Sequence, residues 1–299
     1  MSARPILFLV NPASGNGATG KRWAELSRRA GELGLRGEEV LSEYPGQLAE
    51  AAREAQGSLL VVIGGDGTVN EVVNGAAGRD AEIAVLPCGT GQDFGRTHGI
   101  PGRFDEAVRV ALGGDTRTID LGRVELEGGT SRFFANVGSA GMSGSVARRA
   151  NSMTKAFGGR ATFFYALTRE FLAWQNTRVV VELDGGVRRE GAMHDVIVAN
   201  GRYHGGGMKL APDARQDDGV FDIVLIGDVT KPDFVTTAPK LYSGRYLSHP
   251  KVELLRSATV RIEAAEPLPL EVDGEPIGTT PARFEVVPAA LRLRVPPAA

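Results

Sequence analysis

Only one of the 299 residues is a cysteine, Cys88, and only four are histidines. A single thiol excludes an internal disulfide framework, and the scattered histidines offer no zinc-ligand spacing, so any metal site must use oxygen ligands. Long apolar runs are also missing. No stretch approaches the roughly 18 uninterrupted apolar residues that span a bilayer, and the best runs, such as Leu59–Ile63, are strand-sized. The apolar part of MSARPILFLVNPASG is too short for a secretory signal, which gives a cytoplasmic expectation. Charge of one sign is not in excess either: 34 Lys and Arg face 36 Asp and Glu, a formal charge of -2. That excludes a global cationic field drawing the chain to nucleic acid or anionic lipid, so any attraction to a membrane must be local.

What is present is the composition of an ordinary globular protein, 42% hydrophobic and 23% charged. The length implies two domains. The first 120 or so residues alternate short apolar runs (Ile6–Val10, Glu38–Leu41, Leu59–Ile63, Ile83–Leu86) with amphipathic ones (Lys21–Leu33, Leu48–Ala55, Val69–Ala77, Phe104–Leu112). Such alternation predicts βαβ units and a largely parallel sheet over 1–120. From 121 to about 289 the pattern predicts β structure, with turn signals at Asp184-Gly185-Gly186, Asp218-Gly219 and Asp273-Gly274. The tail at about 290–299 is expected to pack back on the first domain. Helical periodicity interrupts the β-rich half at Ser145–Trp174, where Arg148, Arg149, Lys155, Arg160 and Arg169 accompany Phe157, Phe163, Phe164, Phe171 and Trp174. The first reading is an amphipathic helix packed on its own protein with a solvated arginine face; the alternative is an interfacial surface.

Three glycine-bearing loops end three of the predicted strands. Asn11-Pro12-Ala13-Ser14-Gly15-Asn16-Gly17-Ala18-Thr19-Gly20-Lys21 opens a helix, where backbone N–H groups and the helix dipole favour phosphate. Gly15, Gly17 and Gly20 satisfy G-x-G-x-x-G, with Glu38 and Glu39 as ribose partners; the same segment nearly satisfies a P-loop, but Arg22 stands where a magnesium-binding hydroxyl belongs. Alone, it is as compatible with an uncommitted glycine-rich turn. In the second loop, Gly64, Gly65 and Gly67 let amides approach a polyphosphate, and Thr68 can cap the helix or bind a phosphate oxygen. Asp66 makes electrostatic sense there if a cation, or a hydroxyl proton to be accepted, lies beside it; otherwise it is a turn aspartate. The third loop is Leu86-Pro87-Cys88-Gly89-Thr90-Gly91-Gln92-Asp93-Phe94-Gly95-Arg96.

In this order the loops resemble the N-P-x-S-G, G-G-D-G-T and P-x-G-T-x-N-D-F-A-R segments of the diacylglycerol kinase catalytic-domain family, which includes sphingosine, ceramide and bacterial lipid kinases. Gln92 replaces the usual Asn and Gly95 the usual Ala. The resemblance continues through Ile119–Gly122, Asn200–Met208, Asp217–Asp222 and Glu271–Glu275, and so covers nearly the whole chain. It implies a Rossmann-like α/β nucleotide-binding domain of NAD kinase/diacylglycerol kinase type, followed by a β-sandwich domain. It implies ATP and Mg2+, with transfer of the γ-phosphate to a lipid hydroxyl, diacylglycerol first, in a cytoplasmic protein that visits the membrane and has no nucleic-acid partner. ATP contacts fall by resemblance on Asn11, Pro12, Ala13, Ser14, Gly15, Ser42, Gly64, Gly65, Asp66, Gly67, Thr68, Val69, Asn70, Glu71 and Thr90. The general base falls on Glu275, assisted by Asp120, with Asp66 as competitor; magnesium falls on the Asp218 carboxylate and the carbonyls of Arg215 and Val220.

Bland readings stand beside these. Asp273-Gly274 is the strongest short hairpin signal and Asp218 an ordinary turn residue; His204, Arg96 and Cys88 receive no chemistry, only packing or polar neighbours. An NAD kinase-like phosphotransferase and a non-catalytic nucleotide- or lipid-binding regulator are the alternatives. A homodimer through an edge strand is also open.

Overall fold

The structure is a computed structural model that describes residues 4–89, 91–152 and 159–298, without the side chains of 159–164. The chain divides into two compact units, Met1–Leu121 with Pro288–Ala299, and Gly122–Val287.

The first unit alternates strands and helices: β1 (Ile6–Val10), α1 (Ala18–Glu32), β2 (Glu38–Leu41), α2 (Gln47–Glu54), β3 (Leu59–Gly64), α3 (Asp66–Ala76), β4 (Glu82–Pro87), α4 (Asp93–Thr97) and α5 (Phe104–Gly113). The strands are parallel in the order β2-β1-β3-β4. Buried on both faces, β3 and β4 carry the near-continuous apolar runs such a sheet demands. Trp23, Leu26 and Ala30 of α1 and Ala107, Val108 and Ala111 of α5 share one core with Phe8, Val10, Val61 and Ile63. The alternate strand residues Leu9, Leu60 and Val62 point to the opposite face, where α2 and α3 pack together. There α3 presses so near to α2 that a Cβ on Gly75 would lie 2.2 Å from the Ala49 carbonyl oxygen.

The chain leaves this unit within β5 (Asp115–Leu126) and returns within the last strand. The second unit contains β6 (Ser131–Phe134), β7 (Val137–Gly141), α6 (Met142–Ser152), α7 (Gly159–Ala173), β8 (Thr177–Leu183), β9 (Arg188–Met193), β10 (Asp195–Ala199), β11 (Tyr203–His204), β12 (Met208–Lys209) and β13 (Phe221–Ile226). It continues with α8 (Lys231–Thr237), β14 (Val252–Ser257), β15 (Thr259–Ala264), β16 (Pro269–Val272), β17 (Glu275–Thr279) and β18 (Ala282–Val295). One antiparallel sheet runs β14-β13-β10-β7-β16-β17; the other brings together β9, β8, β15, the start of β18, the end of β5, and β6. Their facing residues, among them Val181, Val198, Phe221, Ile262, Leu270 and Phe284, form one apolar core, as in a β-sandwich. The end of β18 pairs parallel with β4 through Arg292 and Leu293.

Helix starts differ slightly from the sequence expectation. Gly17 adopts a left-handed conformation that closes the first loop early, so α1 begins at Ala18 rather than at Lys21. α3 begins at Asp66 rather than Val69, which puts Asp66 itself in the first helical turn.

Candidate functional site

In the first unit, all candidate nucleotide residues in view gather at the carboxyl edge of the sheet, after β2 (Ser42), β1 (Asn11–Gly15), β3 (Gly64–Glu71) and β4 (Pro87–Gly89). The order β2-β1-β3-β4 reverses between β1 and β3, where open α/β sheets bind ligands. Asn11 bridges that point: Nδ2 donates to Thr68 Oγ1 at 3.1 Å, while Oδ1 accepts from the Ala13 amide at 3.0 Å. Pro12 lies against α1, where a Cβ on Gly20 would come within 2.9 Å of it. Thr68 is therefore a buried latch between the first two loops, and α3 opens without a side-chain cap.

The second and third loops meet backbone to backbone. A Cβ on Gly89 would stand 2.4 Å from the Gly65 α-carbon, and one on Gly91 2.4 Å from Asp66 Oδ2. Ser14 and Thr19 hydroxyls donate to the Cys88 carbonyl at 3.5 and 3.1 Å, fastening the first loop to the third. Glycine is needed here for close approach.

Two acids of the second loop hold backbone. Asp66 Oδ1 accepts the Phe94 amide at 3.0 Å and so holds the first turn of α4. Glu71 Oε1 accepts the amides of Gly46 and Leu48 at 2.9 and 3.0 Å, which caps α2. Val69 and Asn70 are buried in α3, Gly67 lies in its first turn, Ser42 is half-buried, and Thr90 lies outside the described residues. Gln92, in the family's Asn position, adopts a left-handed backbone with φ 57° that asparagine tolerates better. A cavity of about 370 Å³ opens beside these loops, lined in part by Thr19, Arg22, Cys88, Gln92 and Phe104. Burial pushes the Cys88 thiol up, leaving it protonated near neutral pH. Arg96 is bound to Asp93 and to the Gly91 carbonyl. Asp120 is buried on β5, where Oδ1 accepts the Ala289 amide at 2.8 Å.

In the second unit, Asp273 and Gly274 form the two-residue turn between β16 and β17, both with positive φ (49° and 84°). That is the geometry of a type I′ hairpin. The Asp273 carboxylate accepts three amides, from Ala135, Asn136 and Val137, at 2.8, 2.9 and 3.0 Å. Glu275 opens β17 and accepts from Asn151 Nδ2 of α6 at 3.4 Å. The Ala135–Asn136 segment collects further motif residues: Asn200 Nδ2 donates to the Ala135 carbonyl at 2.9 Å, as does Gln216 Nε2, and the Gly201 amide donates to the Asn136 carbonyl at 2.7 Å.

Sequence reasoning missed Asn151, Asn136 and, above all, Glu271. Glu271 is almost wholly buried; Oε2 accepts the Gly274 amide at 2.7 Å and Oε1 accepts the Ser139 hydroxyl at 2.8 Å. His204 Nε2 lies 3.3 Å from the same Oε1. Burial works against charge on Glu271, but His204, the Gly274 amide and the Ser139 hydroxyl outweigh it and hold the carboxyl below its usual range. Nearby on the same sheet face, Asp195 accepts from Ser143, and burial raises its carboxyl to about 7.

At the Asp217-Asp218-Gly219 turn, Asp218 Oδ1 accepts the Val220 amide at 3.3 Å and its other oxygen is bound to Arg256. Arg215 Nε pairs with Asp217 at 3.0 Å. Asp222 Oδ2 is buried with no hydrogen-bond partner among the described residues, and burial raises its carboxyl. An oxygen donor set with one orphaned buried oxygen fits a magnesium ion at this turn, in competition with Arg256. No group of three or more His, Cys, Asp or Glu among the described residues is arranged to hold a metal by side chains alone.

Fold and loops together define the class in which a Rossmann-like domain with glycine-rich phosphate loops is joined to a β-sandwich. Residues 5–124 match the family model of the diacylglycerol kinase catalytic domain, and residues 136–295 that of the YegS C-terminal NAD kinase beta sandwich-like domain. The chain belongs to the diacylglycerol kinase catalytic-domain family. It is similar to the diacylglycerol kinase of Mycobacterium tuberculosis H37Rv, 30% identical over 97% of this chain and 95% of that protein. It is also similar to a Pseudomonas aeruginosa protein named "Probable lipid kinase YegS-like", 36% identical over 84% of this chain and 80% of that one. A crystal structure of a diacylglycerol kinase from Bacillus anthracis shares the fold, with TM-score 0.73, 20% identity, and coverage of 99% and 98%. No helix among the described residues is long and apolar enough to cross a membrane.

Proposed function

We propose that this chain is an ATP-dependent lipid kinase that transfers the γ-phosphate of ATP to the free hydroxyl of diacylglycerol, giving phosphatidic acid and ADP. The observation that carries the reading is the interlocked set of loops at the β1/β3 switch point, joined through Asn11–Thr68 and the Gly65–Gly89 contact. Relatives named diacylglycerol kinase, aligned over nearly all of the chain, support diacylglycerol as the acceptor. The amides of the first two loops and the start of α3 hold the phosphates and stabilise the charge that develops on them. The hydroxyl oxygen attacks the γ-phosphorus, the bond to the β-phosphate oxygen breaks, and Glu275 takes the hydroxyl proton. Asp273 and Glu271 orient Glu275 by fixing the turn before it. Magnesium, held by Asp218 and the carbonyls of Arg215 and Val220, would supply structural charge balance at its turn, and a second ion would travel with ATP.

The test is transfer of radiolabel from [γ-32P]ATP, with magnesium, to mixed vesicles containing diacylglycerol, with NAD offered in parallel. Labelled phosphatidic acid, abolished by excess chelator, is the expected product. Label entering NAD alone, or no acceptor at all, overturns the reading and favours an NAD kinase-like enzyme or a binding protein respectively.

A further inference from the structure

Four of the large apolar side chains standing in solvent belong to one stretch of the second unit: Tyr165, Leu172, Val235 and Tyr242, exposed by 51%, 59%, 61% and 60%. Tyr165, Arg169 and Leu172 recur at i, i+4 and i+7 along α7, so they share one face. Lys231 and Val235 share a face of α8 in the same way. The two helices are joined: Phe171 stacks on Phe234 with ring centroids 4.5 Å apart, and Lys231 Nζ donates to the Leu172 carbonyl at 2.6 Å. Lys240 and Tyr242 follow on the short helical turn Ala238–Ser243, which packs against α8. Packing beneath is supplied by Phe171, Trp174 and Phe234, so the exposed Leu172 and Val235 are not needed to hold the helices together.

The described acids carried by α7 and α8 themselves are taken up by neighbours, and Asp228 before α8 accepts from Asn176 at 2.8 Å. Glu170 of α7 turns inward to Ser145 and Arg149. Asp233 of α8 is taken up by Lys251 at 2.7 Å and by the Thr230 amide at 2.9 Å. Arg169 is exposed on the Tyr165 and Leu172 face of α7, Lys231 is exposed on the Val235 face of α8 with its ammonium on the Leu172 carbonyl, and Lys240 is exposed on the turn that follows. Exposed apolar area on the order of a few hundred Å² with a polar rim marks an interaction site, and apolar side chains set among cations suit an anionic lipid interface. A second copy fits worse, because a two-fold contact would turn the same cations toward one another.

We propose that this α7–α8 face is where the protein docks on an anionic phospholipid bilayer, with Tyr165, Leu172, Val235 and Tyr242 entering the headgroup boundary and Arg169, Lys231 and Lys240 meeting lipid phosphates. The purpose of docking rests on the lipid-kinase reading; the binding itself does not. In a chain of formal charge -2, this local patch supplies the attraction that the whole molecule lacks.

The experiment is co-sedimentation of the whole chain, without nucleotide, with phosphatidylcholine vesicles containing or lacking phosphatidylglycerol. Binding should require phosphatidylglycerol, weaken with salt, fall at least tenfold in Leu172→Glu/Val235→Glu, and fall about fivefold for each of Arg169→Gln and Lys240→Gln. Unchanged thermal melting, and unchanged phosphorylation of a short-chain, water-soluble diacylglycerol, would show that the variants stay folded. No binding by the parent chain, or equal binding by the Glu double variant, overturns the proposal. So does a dimer that the double variant dissolves while vesicle binding persists, which would make the face an interface between copies. Vesicle binding lost in the variant while the parent chain phosphorylates no lipid leaves docking standing and removes the lipid-kinase reading alone.

Discussion

Replacing Asp273 by asparagine probes how far the turn between β16 and β17 depends on one carboxylate. Two amides, from Asn136 and Val137, share Oδ1, and the Ala135 amide binds Oδ2. An asparagine can keep the Oδ1 pair, but its NH2 group then faces the Ala135 N–H, donor against donor. Bonds to a charged acceptor contribute about 1.5–3 kcal/mol each, so losing one outright and the charge on the others should cost about 2–4 kcal/mol. The backbone adds nothing to this, since asparagine tolerates the left-handed φ of 49° at least as well as aspartate. For a domain of this size the loss lowers Tm by roughly 5–12 °C. Urea or thermal unfolding measures it, and kinetics on lipid vesicles should show kcat falling with little change in the KM for ATP. A variant within about 0.5 kcal/mol of the parent, with kcat intact, would refute the reasoning, because the three amides would then be satisfied without the carboxylate.

Three further outcomes are expected. Gly89→Ala places a methyl 2.4 Å from the Gly65 α-carbon, which must push the two loops apart; calorimetric titration should show ATP affinity falling about tenfold or more, with about 1–3 kcal/mol of stability lost. Glu275→Gln should lower kcat by about 10²–10⁴, and Asp66→Asn by less, because an amide oxygen can still accept the Phe94 N–H; the reverse order in steady-state assays moves the base to Asp66. Asp195 has a folded pKa of about 7 against an unfolded value of 3.8, raised by burial. Its folded form therefore holds the proton more tightly, and stability present below pH 4 is lost as pH rises toward 7. Asp195→Asn removes that loss, so its Tm relative to the parent should rise between pH 5 and 8, with a gain on the order of 2–4 kcal/mol at pH 8; a difference that stays flat with pH counts against the assignment. Besides burial, the Glu271 charge adds to the rise in the Asp195 pKa, while the Ser143 hydrogen bonds and His204 oppose it; Tyr246 also faces the group.

Where the signal is local, the sequence and the structure agree. The runs Ile6–Val10 and Leu59–Ile63 become central strands because they are short, apolar and bounded by glycine and proline. Asp273-Gly274 becomes a hairpin turn because those two residues accept positive φ most readily. Phe157 and Lys155 of the expected Ser145–Trp174 helix lie outside the described residues, as do the side chains of Arg160, Phe163 and Phe164; Phe171 and Trp174 pack inward as expected, while Tyr165 and Leu172 do not. Contacts between distant residues were not legible. The Asp66–Phe94 bond depends on β3 and β4 being neighbours, and the grip of Asp273 on residues 135–137 spans well over a hundred positions. Glu271 is the instructive case. In Pro269–Val272 the alternate residues Leu270 and Val272 enter the sandwich core, so Glu271 reads as a solvent-facing charge. It is buried where the segment carrying His204 meets it and where α6 packs on β16, and covering segments leave no periodic trace in the strand they cover.

The acidic residues of the motifs therefore divide by what their oxygens already hold. Glu71 accepts the Gly46 and Leu48 amides and caps α2, Asp66 accepts the Phe94 amide and holds α4, Asp273 accepts the amides of Ala135, Asn136 and Val137, and Asp120 accepts the Ala289 amide. Glu275 follows a turn that Asp273 and Glu271 fix from both sides, and among its contacts is one to Asn151 at 3.4 Å. If Glu275 is the base, the turn that Asp273 and Glu271 fix sets where its carboxylate meets the substrate hydroxyl. On the proposed reading the acids around Glu275 serve it by position, and a double-mutant cycle of Asp273→Asn with Glu275→Gln tests this: once Glu275 is gone, the Asp273 change should cost stability as before but lower kcat little further.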